Sequence, residues 1–133
     1  MKKIVLFILI ASLLMPCLAL PIFASNARWI NTVYVFCDPQ YYNGGIECYV
    51  NIEAELGATI TKVNISLDKV MGSGLVNVAS WTNLSGYESF SFYEIVPNAQ
   101  LECIYRLSVT ADVILNGVVE HIDVYEEEFY VEE

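Results

Sequence analysis

The sequence predicts an all-β domain, a two-sheet antiparallel sandwich of seven strands, behind an N-terminal signal peptide. Apolar and polar residues alternate with period two over Ile46–Ala54 and again over Cys103–Val113, which is typical of strands with one buried face. Asn116-Gly117 follows the second alternation and predicts a two-residue hairpin turn. No helical periodicity, repeat or Pro-rich linker is visible, and a small closed barrel is the alternative architecture.

Residues 1–24 have the pattern of a secretory signal peptide. Two lysines after Met1 provide the positive end, and Ile4–Leu14 provides an apolar core that is short for a membrane span. Ala24 is the expected last residue before cleavage, with Ala19 as the second choice. The pattern predicts that the protein is exported from the cytoplasm.

Two other interpretations of the N-terminus stay open. Residues 4–24 are mostly apolar and could just span a bilayer as an uncleaved anchor. Cys17 could carry a lipid, although Pro16 stands where a small residue is expected. The preferred interpretation leaves residues 25–133 as a single secreted β-sandwich domain with an acidic C-terminal end and no membrane span.

Seven segments have the composition of strands, at spacings typical of all-β domains. In chain order they are Asn31–Cys37, Ile46–Ala54, Thr61–Leu67, Leu75–Trp81, Ser89–Ile95, Leu101–Val113 and Val118–Tyr125. The predicted turns between the first five strands are Tyr42–Gly45, Leu56–Ala58, Met71–Gly74 and Asn83–Tyr87. The sandwich prediction rests on this regular succession of short strands.

Three cysteines lie in the predicted domain. If successive strands alternate in direction, Cys48 and Cys103 lie at similar heights and both point inward. A disulfide between Cys48 and Cys103 would close a loop of about 55 residues, for which the chain-entropy estimate is about 4 kcal/mol. Cys37 is also predicted to point inward, so a Cys37–Cys48 pair stays open, as do other pairings and three unpaired thiols.

Charge and the scarcity of histidine exclude several classes of function. Residues 25–133 hold four basic and sixteen acidic side chains, a net charge of −12, which argues against nucleic acid as a partner. The one histidine, His121, has no accompanying nucleophile motif, and nothing resembles a zinc site. Glu126–Glu128 lack a calcium-loop pattern and are interpreted as a solvated charge run, although calcium stays open. We therefore expect no enzyme activity, no cofactor and no metal.

Aromatic residues make up 13% of the chain, and many fall at exposed strand or loop positions. Tyr34, Phe36 and Tyr49 alternate with the buried positions of the first two strands, so they would form one platform if those strands pair. Exposed rings offer a large contact area at low entropic cost. These three residues are the candidate binding residues, and the alternative is that tyrosine is present because it favours strands.

A series of short segments carries a resemblance to a known family. The segments are Arg28–Asn31, Cys48, Gly57–Lys62, Ala79–Trp81, Tyr105–Leu107, and Gly117 with Glu120. Together, over about residues 28–125, the chain resembles a family of small secreted bacterial domains of unknown function. The resemblance implies an immunoglobulin-like sandwich and a bacterial exported product, and it implies no activity. Cys37, Cys103 and the acidic C-terminal end depart from the family pattern.

The expected function is that of a secreted, non-catalytic protein-interaction or cell-envelope module, with a protein or glycan partner at the cell surface. A carbohydrate-binding module that uses exposed aromatics is the alternative, and a secreted enzyme is a more distant one. Rings clustered in one plane would favour sugar, because sugars stack on flat aromatic surfaces. A mixed apolar and acidic patch would favour protein.

Overall fold

The computed structural model describes residues 29–132, so the predicted signal peptide and its cleavage site lie outside the described residues. This range contains seven strands and no helix, and hence no helix that is long and apolar enough to cross a bilayer. The strands are β1 (Thr32–Tyr42), β2 (Gly45–Ala54), β3 (Thr59–Met71), β4 (Gly74–Tyr87), β5 (Ser89–Pro97), β6 (Cys103–Leu115) and β7 (Val118–Val131).

The strands form two antiparallel layers. The hydrogen-bonded order is β1-β2-β5-β4-β3-β6-β7, but β4 and β5 share only the pair of Tyr87 with Ser89. The sheet therefore turns a corner at this pair, and β1-β2-β5 form a first layer over a second layer of β4-β3-β6-β7. Seven antiparallel strands in two sheets confirm the predicted all-β class.

The hydrophobic core lies between the inner faces of the two layers. Its fully buried side chains are Ile46, Cys48, Val50 and Ile52 of β2, Ile60, Val63, Ile65 and Leu67 of β3, Leu107, Val109 and Val113 of β6, and Val131 of β7. Trp81 and Phe92 meet across the layers with ring centroids 4.8 Å apart. Burying these apolar groups is the main source of stability for such a domain.

The corner between the layers is held by the backbone of Glu88, which has a φ of 60°. Its carbonyl accepts a hydrogen bond from the Ala54 N–H at 2.8 Å, and its N–H donates to the Ala58 carbonyl at 2.9 Å. Gly86 lies beside the corner, where a Cβ would collide with the backbone of Ser89. The close approach of β4 and β5 therefore requires glycine at this position.

The start of β1 is fixed to β7 by the carboxylate of Glu120. This carboxylate accepts hydrogen bonds from the Ile30 N–H, from the Asn31 N–H at 3.0 Å and from the Thr32 hydroxyl at 2.6 Å. Asn31 and Thr32 are buried, so these donors have little access to water. Glu120 thus closes one end of the sandwich, where the sequence showed only separate segments.

The side chain of Asn31 completes the same contact. Its amide group donates to the carbonyl of Val113 at 3.3 Å and to that of Val118 at 3.1 Å, on either side of the β6–β7 turn. Its own carbonyl accepts from the Glu55 N–H at 2.9 Å. One buried residue therefore joins β1 to both the β2–β3 connection and the β6–β7 hairpin.

Cys37, Cys48 and Cys103 are free thiols in the structure. Because β2 and β6 are related by an even number of antiparallel pairings, they run in the same direction. Cys103 begins β6 and Cys48 follows the start of β2 by three residues, so both lie at the same end of the sandwich. The Cys48–Cys103 bridge stays a prediction.

The geometry of β1 and β2 bears on the alternative pair. Cys37 lies opposite Val50 and Cys48 lies opposite Pro39, so the two cysteines are diagonal neighbours on the inner face. Diagonal positions are about 7–8 Å apart between Cα atoms, which is longer than most disulfides allow. A Cys37–Cys48 bridge would therefore require movement of the backbone.

Candidate functional site

Four aromatic side chains lie together on the outer surface of the first layer. This aromatic face consists of Tyr34 and Phe36 of β1, Tyr49 of β2 and Tyr93 of β5. Tyr34 and Phe36 are each 43% exposed and Tyr93 is 55% exposed. The face forms because β1 and β5 flank β2 and present their outward positions in register, with Tyr49 directly opposite Tyr93.

The three predicted binding residues are thus brought to one face, and the structure adds a fourth. Tyr34, Phe36 and Tyr49 follow from the alternation of β1 and β2, which pair as neighbours in the chain. The position of Tyr93 depends on the pairing of β2 with β5, which are distant in sequence. Its outward parity within β5 was the available signal, but its neighbours were not predictable.

The rings of this face do not share a plane. Phe36 and Tyr49 have centroids 6.1 Å apart and planes inclined at 64°, an edge-to-face arrangement. The amide of Asn51 donates to the hydroxyls of Tyr34 at 3.2 Å and Tyr49 at 3.4 Å. With the amide as donor, each tyrosine hydroxyl keeps its own proton available for an acceptor on a bound molecule.

Carboxylates are interleaved with the rings. Asp38 pairs across the sheet with Tyr49, and Glu53 pairs with Tyr34. The hydroxyl of Tyr93 donates to Oε1 of Glu47 at 2.6 Å, a hydrogen bond that raises the pKa of Tyr93. β1, β2 and β5 contain no Lys, Arg or His. The face is therefore a mixed aromatic and acidic patch with no basic residue from its own strands.

The outer surface of the second layer is different, because its main charges are paired. Arg106 of β6 donates through Nε to Glu128 at 2.7 Å and lies 3.4 Å from Glu126. The hydrogen bond to Glu128 is the main cause of the raised pKa of Arg106. The Glu126–Glu128 segment, interpreted from sequence as a solvated run, is part of β7. Two of its three carboxylates contact arginine.

His121 belongs to a surface ion pair. Its Nδ1 lies 2.6 Å from Oδ1 of Asp112, and the Lys62 ammonium lies 2.8 Å from Oδ2. The contact with Lys62, followed by that with His121, lowers the pKa of Asp112. Within residues 29–132 the imidazole has no hydrogen bond to a serine or cysteine, and no group of three or more acidic, His or Cys side chains is arranged to hold a metal ion.

Comparison of the sequence with protein-family models and with curated proteins finds no match. Among solved structures, the chain is similar to the crystal structure of Spo0M, a sporulation control protein from Bacillus subtilis, at 12% identity and a TM-score of 0.47, over 78% of this chain and 51% of that one. It is also similar to a protein from Archaeoglobus fulgidus, at 12% identity and a TM-score of 0.42, over 77% and 98%. The chain spans about half the length of the Spo0M structure. Neither a family nor a function follows from similarities this distant.

Proposed function

We propose that the chain is a secreted, non-catalytic protein-interaction module of immunoglobulin-like architecture that works at the cell envelope or outside the cell. Its contact surface is the aromatic face. The single observation that carries this proposal is the composition of that face, in which exposed rings and carboxylates of one sheet lie side by side. The division into a three-stranded and a four-stranded layer supports the immunoglobulin-like architecture.

The chemistry of the face indicates the kind of partner. Arginine and lysine are attracted to aromatic rings and to carboxylates, and arginine also forms bidentate hydrogen bonds with carboxylates. Asp38, Glu47 and Glu53 supply three carboxylates next to the rings. The partner is therefore a protein segment that carries Arg or Lys together with apolar side chains. Long-range attraction to the acidic domain would speed its association.

The ring geometry distinguishes this partner from a sugar. A saccharide ring stacks best on a flat aromatic surface, whereas the planes of Phe36 and Tyr49 are inclined at 64°. Edge-to-face rings instead leave grooves that fit branched and cationic side chains. A soluble glycan is therefore the competing outcome of the binding test rather than the favoured ligand.

The test compares binding of short synthetic peptides by fluorescence polarisation. The probes are a peptide rich in arginine and leucine, the same peptide with glutamine for arginine, and glucose- and N-acetylglucosamine-based oligosaccharides. The expected result is binding of the cationic peptide alone, weakening as salt is raised. Tyr34→Ala with Tyr49→Ala should weaken binding roughly thirtyfold, since each ring contributes about 1 kcal/mol beyond its buried area.

Tyr130→Ala provides the matched control, because Tyr130 is 51% exposed but lies on β7, in the other layer. It should bind the cationic peptide as the unchanged protein does. Equal binding by the double variant would show that the aromatic face is not the contact surface. Binding of an oligosaccharide in place of the peptide would instead assign a carbohydrate-binding module.

A further inference from the structure

Four strands of the described sandwich have a free edge, and three of these edges carry protection. A free edge offers unpaired N–H and C=O groups to other chains, and proteins commonly block it with proline or with charges, including inward-pointing ones. β1 contains Pro39. β5 has Glu94 on its inner side, opposite Cys48, and β7 has Glu127 on its inner side, opposite Leu107.

β4 is the exception. It is the one strand of the seven without a charged residue, and it contains no proline over its fourteen residues. Its only pair with β5 is Tyr87 with Ser89, so residues 74–86 are hydrogen-bonded to a strand on the β3 side alone. In a domain with a net charge of −12, a neutral edge of this length is unusual.

Apolar side chains are exposed along the same stretch. Leu75, Val76 and Val78 of β4 are 47%, 54% and 42% exposed, and Met71 at the end of β3 is 50% exposed. Val76 lies opposite Lys69, which in turn lies opposite Tyr105 on the inner side of the layer. The β3–β4 hairpin therefore presents part of its inner surface uncovered by the shorter β5.

We propose that β4 pairs antiparallel with β4 of a second copy of this chain, about a two-fold axis, and joins two second layers into one continuous sheet. The occupant is a second copy because a neutral apolar edge offers nothing to a charged partner and is complementary to itself. Strand addition of this kind draws affinity from backbone hydrogen bonds and specificity from the alternating side chains. The aromatic face lies on the other layer, so this inference is independent of the proposed function.

The structure also sets the strength of this contact. β4 bulges at Val78 and again between Trp81 and Leu84, where its pairing with β3 shifts. Regular pairing is therefore confined to residues 74–77 and 79–81, and the dimer is reversible. Two copies of an acidic domain repel each other at long range, so added salt strengthens the dimer. Binding at the aromatic face should respond to salt in the opposite direction.

The test is sedimentation velocity of the protein as purified from the cells that make it, over a range of concentrations at low and high salt. The expected result is a monomer–dimer equilibrium that shifts to dimer with concentration and with salt. Val76→Lys should weaken the dimer at least about tenfold, because it brings two like charges to the paired edges. Val118→Lys is the matched control, since Val118 is 56% exposed and begins β7 at the opposite end of the sandwich.

Hydrogen exchange of the unchanged protein provides a second measurement that does not depend on a variant's folding. Amides of residues 74–81 should become more protected as concentration rises, while those of β5 should not change. A monomer at every concentration and salt would overturn the proposal. So would a dimer without added protection in residues 74–81, or one weakened equally by Val118→Lys.

Discussion

Replacing Glu120 with alanine should destabilise the domain by about 3 kcal/mol, because it removes the acceptor that fixes the start of β1. The carboxylate accepts three hydrogen bonds in the structure. Ile30 is 78% exposed, so its N–H can turn to water, whereas Asn31 and Thr32 are 3% and 5% exposed. The substitution therefore leaves two buried donors without a partner.

The magnitude follows from those two donors. A buried donor that loses its partner costs about 1–3 kcal/mol, so two of them give about 2–4 kcal/mol. Glu120→Gln keeps one side-chain oxygen but loses the charge and the second acceptor, so it should cost about half as much. The same reasoning gives Asn31→Ala a cost of about 2 kcal/mol, because its amide donates to two carbonyl groups.

The assay is urea unfolding followed by far-ultraviolet circular dichroism, with the slope m compared between variants. Glu53→Ala is the control, since Glu53 is also half-buried but its carboxylate accepts no hydrogen bond within residues 29–132. It should change the free energy of unfolding by less than about 0.5 kcal/mol. The double variant at Asn31 and Glu120 should cost less than the sum of the single ones, because the two side chains support the same contact.

A Glu120→Ala variant as stable as Glu53→Ala would refute the reasoning. It would mean that the first residues of β1 exchange these bonds for water at no cost. An unchanged free energy with a lower m would indicate a change in the unfolded or native ensemble rather than the loss of a contact.

Three further predictions concern the thiols, one ion pair and the N-terminus. Burial first, with help from Glu127 or Glu94, raises the pKa of Cys37 and Cys48 to about 12, so iodoacetamide near pH 8 should label the more accessible Cys103 first, as peptide mapping would show; equal labelling of all three would contradict this. Asp112→Asn should cost within about 1 kcal/mol near pH 7 and nothing in acid, because a lowered folded-state pKa stabilises above the unfolded value and that gain is lost as pH falls through the folded value; a pH-independent cost would contradict it. Mass spectrometry of the exported protein should find an N-terminus near Ser25, and an intact Met1 in a membrane fraction would contradict the signal peptide.

The strands with one buried face were predictable from the sequence. β2 was predicted as Ile46–Ala54 and is observed as Gly45–Ala54, because a shift of one residue would have turned its whole apolar set to water. β4 was predicted to end at Trp81, with a turn over Asn83–Tyr87, and this was wrong. The strand continues to Tyr87 because bulges absorb its turn-like residues, including Asn83 at a φ of 59°.

The site was predictable only as far as the pairing is local. The outward positions of Tyr34, Phe36 and Tyr49 follow from parity in two consecutive strands. The neighbour of Tyr49 on its other side comes from β5, more than forty residues along the chain, and no local pattern specifies which strand lies there. The contact of Asn31 with Glu120 joins the first strand to the last for the same reason.

The two inward glutamates described above also govern when the cysteines can be oxidised. Thiol–disulfide exchange proceeds through the thiolate, and in the closed sandwich Cys48 is fully buried with a pKa raised to about 12. Very little of its thiolate is present at neutral pH, and no oxidant can reach it. Pairing of Cys48 with Cys103 therefore has to take place before the two layers close, while the exported chain is still folding. A chain that folds faster than it is oxidised keeps its thiols until it unfolds again.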